Sequence, residues 1–134
     1  MKRKTVAVWL LFASLAGCSD IVGSSDDLEI DDARKYFIDP TFRIWWRDLE
    51  KCSGLTRQLG AIKFYWVPGT TLPTTTPNKT VVGRFYAYSN RIFVIESHKK
   101  SPDTVRHEMM HALLRNADGH PPEYFGETSR CGVL

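Results

Sequence analysis

The sequence predicts an α+β domain, in which a small, mainly antiparallel sheet carries helices on one face. Two amphipathic helical patterns predict the helices, and the short aromatic and β-branched runs between them predict the strands. Turn-forming residues separate those runs. Once the N-terminal segment is set aside, about 100 residues remain, which is the size of one domain.

The N-terminal segment, residues 1–17, is typical of a signal peptide. Its basic start precedes a short apolar run from Val6 to Leu15, which is too short to span a bilayer comfortably. The run ends in Leu15-Ala16-Gly17-Cys18, which resembles the lipobox of bacterial lipoproteins. The resemblance implies a lipid on Cys18 and a place in the cell envelope. Because Ser19 follows, it favours the outer membrane if the cell has one. A plain secretory signal or an uncleaved anchor is the alternative.

The predicted signal peptide changes the charge of the chain. The whole sequence has 18 basic and 15 acidic residues, and residues 1–17 hold three of the basic ones and none of the acidic ones. The mature protein is therefore neutral, which gives no support for a nucleic-acid partner. Residues 18–34 are polar and acidic and are predicted to be a tether between the lipid and a domain at 35–134.

Cys52 and Cys131 remain after Cys18 is assigned to the lipid. An even pair in an oxidising compartment predicts a disulfide, and two free buried thiols are the alternative. Such a bridge would hold the C-terminal tail on the first helix. On a chain-entropy argument, it would stabilise the fold by up to about 4.5 kcal/mol.

The first helix is predicted from Pro40 to Cys52, because proline suits the first turn and Gly54 suits the stop. Its large side chains fall at helical spacing and are interpreted as core, with a ligand platform as the alternative reading of the two tryptophans. These side chains are Phe42, Trp45, Trp46 and Leu49.

Strands are predicted at residues 61–67, 81–88 and 91–96. A loop rich in threonine and proline, residues 68–79, separates the first two. It is either an exposed loop near a functional site or a solvated connector. Ser89-Asn90 predicts a tight hairpin between the last two strands.

A second helix begins after Ser101-Pro102-Asp103 and carries the sequence HEMMH. Residues four apart lie on one face of a helix, so His107 and His111 can bind one metal ion, with Glu108 beside them. A separate apolar stripe is predicted to face the sheet. It consists of Val105, Met109, Ala112 and Leu113.

His120 is the predicted third metal ligand, because Gly119 before it allows a sharp turn back towards the helix. Glu123 and Glu127 are rival ligands, and a surface position is the alternative for His120. His98 is expected to be solvated. Asp118 and Glu127 are candidate acceptors for the second ring nitrogens of the ligand histidines.

The His107-Glu108-x-x-His111 helix resembles the active-site helix of the zincin metallopeptidases, and residues 61–125 resemble a minimal zincin core more loosely. The early Trp45-Trp46 and the later histidine pattern also look like a group of small bacterial lipoproteins. The chain departs from the metzincin pattern, which has glycine and histidine where Leu114 and Ala117 stand. The resemblance implies that residues 91–96 form a strand whose free edge borders the substrate cleft.

The resemblance further implies a zinc metallopeptidase that acts on a peptide or protein. Zn²⁺ on the three histidines would activate water, and Glu108 would be the general base. Tyr124 is the expected oxyanion donor, with core packing beside Phe125 as its alternative. Two other functions stay open: a non-catalytic, zinc-stabilised envelope lipoprotein that acts as a binding or structural module, and a structural envelope protein without metal. The sequence does not indicate an oligomeric state.

Overall fold

Two helices and four short strands make up the fold in the computed structural model, which describes residues 30–74 and 77–134. The predicted signal peptide and Cys18 lie outside these residues. The elements are β1 (Arg34–Tyr36), α1 (Pro40–Ser53), β2 (Lys63–Val67), β3 (Gly83–Tyr86), β4 (Arg91–Ile95) and α2 (Pro102–Leu114). No helix within the described residues is long and apolar enough to cross a membrane.

The four strands form one sheet in the order β1-β2-β4-β3. β1 pairs with β2 and β3 pairs with β4 in antiparallel fashion, whereas β2 and β4 are parallel. The predicted α+β class with a small, mainly antiparallel sheet is therefore confirmed.

The position of β4 corrects one prediction. The strand at residues 91–96 was expected to have a free edge, but β4 lies between β2 and β3. Four of its five residues are buried, and burial on both faces is typical of a central strand. The edge strand beside α2 is β3 instead.

The strands differ from the predictions in several places, since β2 begins at Lys63 after a 3₁₀ turn at Leu59–Ala61 and β4 ends at Ile95. β1 is a strand that the sequence pattern did not indicate, because Arg34-Lys35-Tyr36 has no apolar alternation, and only its pairing with β2 makes it a strand. β3 is shorter than predicted, since the β3–β4 pairing ends at Tyr86 and Arg91. The hairpin turn consequently has four residues, 87–90, rather than two.

The main core lies between the helices and one face of the sheet. Phe42, Trp46 and Leu49 from α1 are buried against the sheet, and α2 adds its apolar stripe. The Trp46 ring also donates a hydrogen bond of 2.9 Å from Nε1 to the main-chain oxygen of Arg57. Trp45 is half-buried and stacks on Phe42. The core interpretation of the tryptophans is confirmed.

A smaller core covers the opposite face of the sheet. Leu72, from the threonine- and proline-rich loop, is 3% exposed and packs with Tyr86 and Phe93. Its N–H donates to the main-chain oxygen of Val81 at 2.8 Å. The described start of this loop is therefore anchored on the sheet at Leu72 rather than being only a solvated connector.

The C-terminal tail returns to α1, as the cysteine pair predicted. Cys52 and Cys131 are at disulfide distance, with their Cα atoms 5.3 Å apart. Beyond the bridge, Val133 is buried and its main-chain oxygen accepts a hydrogen bond of 2.6 Å from the N–H of Gly126. The tail is thus fixed on the body of the domain at least as far as Val133.

Arg57 connects three parts of the fold. Its guanidinium donates to the main-chain oxygen of Ala112 in the last turns of α2, at 2.5 Å, and to the side-chain oxygen of Asn90 in the hairpin turn. Its own main-chain oxygen accepts the Trp46 hydrogen bond from α1. The connection between α1 and β2 therefore also positions the C-terminal end of α2.

Candidate metal centre

Helix α2 presents two histidines on the face opposite its core stripe. The helix begins where the Ser101 hydroxyl caps the N–H of Thr104, with Pro102 in the first turn. Val105 and Met109, on the core side, are completely buried. Because His107 and His111 are four residues apart, their rings leave the helix in the same direction.

The chain turns sharply after α2 and brings His120 back to the helix. Arg115 adopts the left-handed conformation with φ 54° and ends the helix. The Asn116 side-chain oxygen then accepts the N–H groups of Asp118 and Gly119, each at 3.1 Å. Gly119 is needed for space rather than for a left-handed backbone, since a Cβ there would clash with the side-chain amide of Asn116.

The three ring nitrogens form a nearly equilateral triangle. The Nε2 atoms of His107 and His111 are 3.1 Å apart, and that of His120 lies 3.1 Å and 3.2 Å from them. Three donors bound to one zinc ion at its usual distances and at tetrahedral angles would stand about 3.3–3.4 Å apart. The predicted trio therefore converges, and its spacing fits a single metal ion.

Main-chain oxygens fix the orientation of two of these rings. The Nδ1 atom of His111 lies 2.8 Å from the main-chain oxygen of Asn116, and Nδ1 of His107 lies 2.5 Å from that of Leu134. A main-chain oxygen of this kind accepts, so Nδ1 carries the hydrogen in both rings and their Nε2 lone pairs face one another. The acceptors of these two rings are thus main-chain oxygens, and the prediction that Asp118 or Glu127 fills this role is wrong for His107 and His111.

The Phe125 ring packs against all three imidazoles. Its centroid is 5.0 Å from that of His107, 4.9 Å from that of His111 and 4.7 Å from that of His120. Phe125 is also 8% exposed, so it joins the metal centre to the main core. Sequence reasoning considered Phe125 only as a neighbour of Tyr124, because nothing in the local pattern distinguishes this contact.

The helix histidines are held in the neutral form that binds metal. Burial and, to a smaller extent, the neighbouring His107 lower the pKa of His111 to about 4. Burial also lowers the pKa of His107. Both rings therefore keep a lone pair available at neutral pH without competition from protons.

Glu108 lies between the histidines and the edge strand. Its side chain is buried, and burial raises its pKa to about 8. The main-chain N–H of Phe85 and the charge of Arg84 oppose that rise. Gly83 permits this close approach, because a Cβ there would lie 2.8 Å from Thr104 and 3.0 Å from the Glu108 carboxylate.

The other candidate residues lie outside the trio. Within residues 30–74 and 77–134, the group with metal-ligand spacing contains His107, His111 and His120 alone. Glu123 and Glu127 are exposed and do not belong to it. His98 is in a separate 3₁₀ turn, with Nδ1 3.0 Å from the Ser97 hydroxyl. Tyr124 packs against the main core, and its role as an oxyanion donor stays a prediction.

Two adjoining depressions flank Glu108, between α2 and residues 79–84. One, of about 330 Å³, is bordered by Asp103, Thr104 and Leu134, and the other, of about 230 Å³, includes all three histidines. The second also contains Lys79 and Arg84, which sequence reasoning missed. They are remote from the histidines in sequence, and the pairing of β3 at the sheet edge brings them near.

No protein-family model matches the chain, and comparisons with curated proteins and with solved structures also give no match. The chemistry of the site therefore rests on its own geometry. Three imidazole nitrogens can hold one metal ion, and a buried carboxylate lines the same depression.

Proposed function

We propose that the chain is a zinc metallopeptidase that cleaves peptide bonds at the bacterial cell envelope, where a lipid on Cys18 anchors it. The observation that carries the proposal is the convergence of three Nε2 atoms, 3.1–3.2 Å apart, beside the buried Glu108. Three protein ligands are typical of catalytic zinc, whereas structural zinc sites are usually closed by four.

His107, His111 and His120 would hold the zinc ion through Nε2. When bound there, zinc supplies Lewis acidity, which makes water a nucleophile near neutral pH and polarises a carbonyl group. The main-chain oxygens of Asn116 and Leu134 keep two of the rings in the correct tautomer. Phe125 excludes water from the far side of the three rings.

Glu108 is the proposed general base. Its carboxylate would accept a proton from the attacking water and later donate it to the leaving amine. A base of this kind works best when its pKa lies near the working pH, and burial moves the pKa of Glu108 in that direction. The hydrogen bond from Phe85 holds the carboxylate at the edge of the sheet.

The outer edge of β3 is the proposed binding surface for an extended peptide. The N–H of Ile95 donates a hydrogen bond to the main-chain oxygen of Val82, just before β3. In an antiparallel pair, residues alternate between directing their main-chain groups towards the partner strand and away from it, so this bond sets the alternation along β3. By this alternation, the main-chain groups of Gly83 and Phe85 point away from β4. The Gly83 groups can therefore hydrogen-bond a substrate strand beside Glu108.

The decisive experiment is a peptide-library digest with residues 19–134, with and without a chelator. The wild-type protein with zinc should cleave peptides, and the chelator should abolish cleavage. Glu108→Gln should retain one zinc per chain but lose about 10²–10⁴-fold in kcat/KM, which is the usual contribution of a general base. Glu127→Gln is the matched control and should behave as the wild type.

Two outcomes would contradict the proposal. An unchanged rate in Glu108→Gln would remove Glu108 from the reaction. Stoichiometric zinc without cleavage of any library peptide would favour the alternative, a zinc-stabilised envelope lipoprotein that acts as a binding or structural module.

A further inference from the structure

One of the depressions beside Glu108 contains two cations that the proposed reaction does not use. Lys79 lies just before β3 and Arg84 lies in it, and both line the depression that includes the three histidines. Because β3 is the proposed binding edge for an extended peptide, these cations lie along the path of the substrate. We call these two residues the cationic wall.

Arg84 is held in place but is only weakly neutralised. Its side chain is 17% exposed, and its guanidinium lies 5.7 Å from the centroid of the Tyr86 ring. Its ion pair with Asp118 is 3.4 Å long, and the Asp118 side chain is 69% exposed. A long ion pair with an exposed carboxylate contributes little energy, so a ligand carboxylate can replace Asp118 at little cost.

The depression on the other side of Glu108 has a different character. Its lining includes Asp103, Thr104, Val82 and Leu134, and neither lysine nor arginine is among its residues. The cleft is therefore polarised, with positive charge on the His120 side of Glu108 and an acidic and apolar lining on the other. Such polarity selects ligands by the position of their charge.

We infer that the cationic wall binds a carboxylate of the ligand, so that the protein prefers peptides with an acidic group close to the bond at Glu108. The inference rests on the proposed function for its substrate, a peptide. Arginine suits this task because its planar guanidinium can bind both oxygens of a carboxylate. The carboxylate can belong to an Asp or Glu side chain or to the C-terminus of a peptide.

The test measures binding rather than turnover. Calorimetry with the zinc-loaded Glu108→Gln protein would compare peptides that differ only in Asp or Asn at successive positions, and peptides that end in a free acid or an amide. We expect the favoured acidic peptide to bind about 10-fold more tightly than its neutral partner, as for a charge-assisted pair. The two arms distinguish a side-chain carboxylate from a terminal one.

Four variants in the same background locate the preference. Arg84→Gln with Lys79→Gln should reduce it to about twofold or less, because only weak exposed charges remain. Arg84→Glu should reverse it in favour of lysine-containing peptides.

Lys63→Gln is the matched control and should retain the full preference, because this exposed lysine on β2 lies outside both depressions. Thermal melting establishes that each variant is folded. Lys79→Gln alone tests the cationic wall at an exposed position.

The results separate this inference from the proposed function. Equal binding of acidic and neutral peptides, or a preference unchanged in the Arg84 and Lys79 variants, would overturn the inference even if cleavage is observed. Acid-selective binding that depends on Arg84 would support the inference even if no peptide is cleaved, in which case the proposed peptidase activity alone would fail.

Discussion

Two of the three imidazoles direct lone pairs towards each other, and a metal ion between them would bind both. Two of the rings have Nδ1 committed to main-chain oxygens, so their Nε2 lone pairs meet at 3.1 Å. A hydrogen bond between His107 and His111 would need one of these two rings to change its tautomer, and a hydrogen on Nε2 of His120 could be donated to only one of them. A metal ion removes the conflict, because it accepts all three lone pairs together.

His120 should contribute directly to metal affinity. His120→Ala removes one of three ligands, so zinc affinity should fall by more than about 100-fold, which is the upper end of the loss seen when a group that only hydrogen-bonds to a metal ligand is removed. Competition with a chromogenic chelator measures this change. His98→Ala is the control, because His98 lies in a separate turn, and equal losses in the two variants would remove His120 from the site.

Glu108 should make the metal-free protein less stable as the pH rises. Its pKa is near 4.5 in the unfolded chain and about 8 in the folded one. Between these values the folded state binds more protons, so this contribution to stability is complete below pH 4.5 and is lost as the pH approaches 8. Glu108→Gln should match the wild type at pH 4 and be more stable at pH 8, on the order of 2–4 kcal/mol.

Urea unfolding of the two metal-free proteins at a series of pH values measures this difference. His111 has the opposite dependence, since its pKa falls from 6.5 to about 4 and stability is lost as the pH falls through that window. Both proteins share this loss, so subtracting the two curves isolates Glu108. A constant difference across the whole range would show that Glu108 is not buried as described.

At the level of elements, the sequence pattern correctly predicted the features that depend on interactions between residues close together in the chain. The helix of the HEMMH sequence was predicted correctly because its cap, its spacing and its apolar stripe all lie between Ser101 and Leu114. His120 was found for the same reason, as the turn from Arg115 to Gly119 is short. The fold class also followed from the order of such patterns along the chain.

The sequence could not predict the features that depend on distant pairing. β1 has too few apolar residues to be recognised before β2 is beside it. β3 rather than β4 forms the edge of the sheet because β2 pairs with β4. Hydrophobic alternation along the sequence does not determine which strand β2 pairs with. The hydrogen bond from His107 to Leu134 likewise uses a main-chain oxygen, which any residue could supply.

The disulfide should support the metal centre as well as the fold. Cys131 lies three residues before Leu134, whose main-chain oxygen orients His107. Replacing both cysteines by alanine should cost about 2–5 kcal/mol of unfolding free energy. It should also lower zinc affinity by about 10-fold, because the acceptor of His107 becomes less well fixed.

Denaturant unfolding and zinc competition measure these two effects. Cys52→Ala with Cys131→Ala should be compared with Glu127→Gln, which also alters the C-terminal tail but leaves the bridge intact. Zinc affinity that stays at the wild-type value despite the loss of stability would separate the bridge from the metal site.

For the whole molecule, zinc should act as a cross-link between α2 and the segment that follows it. A ligand that binds only the folded state at 100 times its Kd adds about 2.7 kcal/mol to stability. For a domain of about 100 residues, this corresponds to a rise in Tm of about 10–20 °C. The molecule is small, so such an increment is a large part of its total stability.

Differential scanning calorimetry of the zinc-loaded and chelator-treated protein checks this expectation. Magnesium should give no shift, because it prefers oxygen ligands. His111→Ala should give no zinc-dependent shift, as it lacks a central ligand. An equal rise in Tm in His111→Ala would mean that zinc binds elsewhere on the chain.

Arg57 carries one consequence for engineering and natural variation. Its guanidinium joins the last turns of α2 to the β3–β4 turn, while its main-chain oxygen is bonded to Trp46. The helix that bears His107 and His111 is thus positioned in part by a residue 55 positions before Ala112, in the connection between α1 and β2. Grafting or lengthening that connector would misalign the imidazoles without altering any of them.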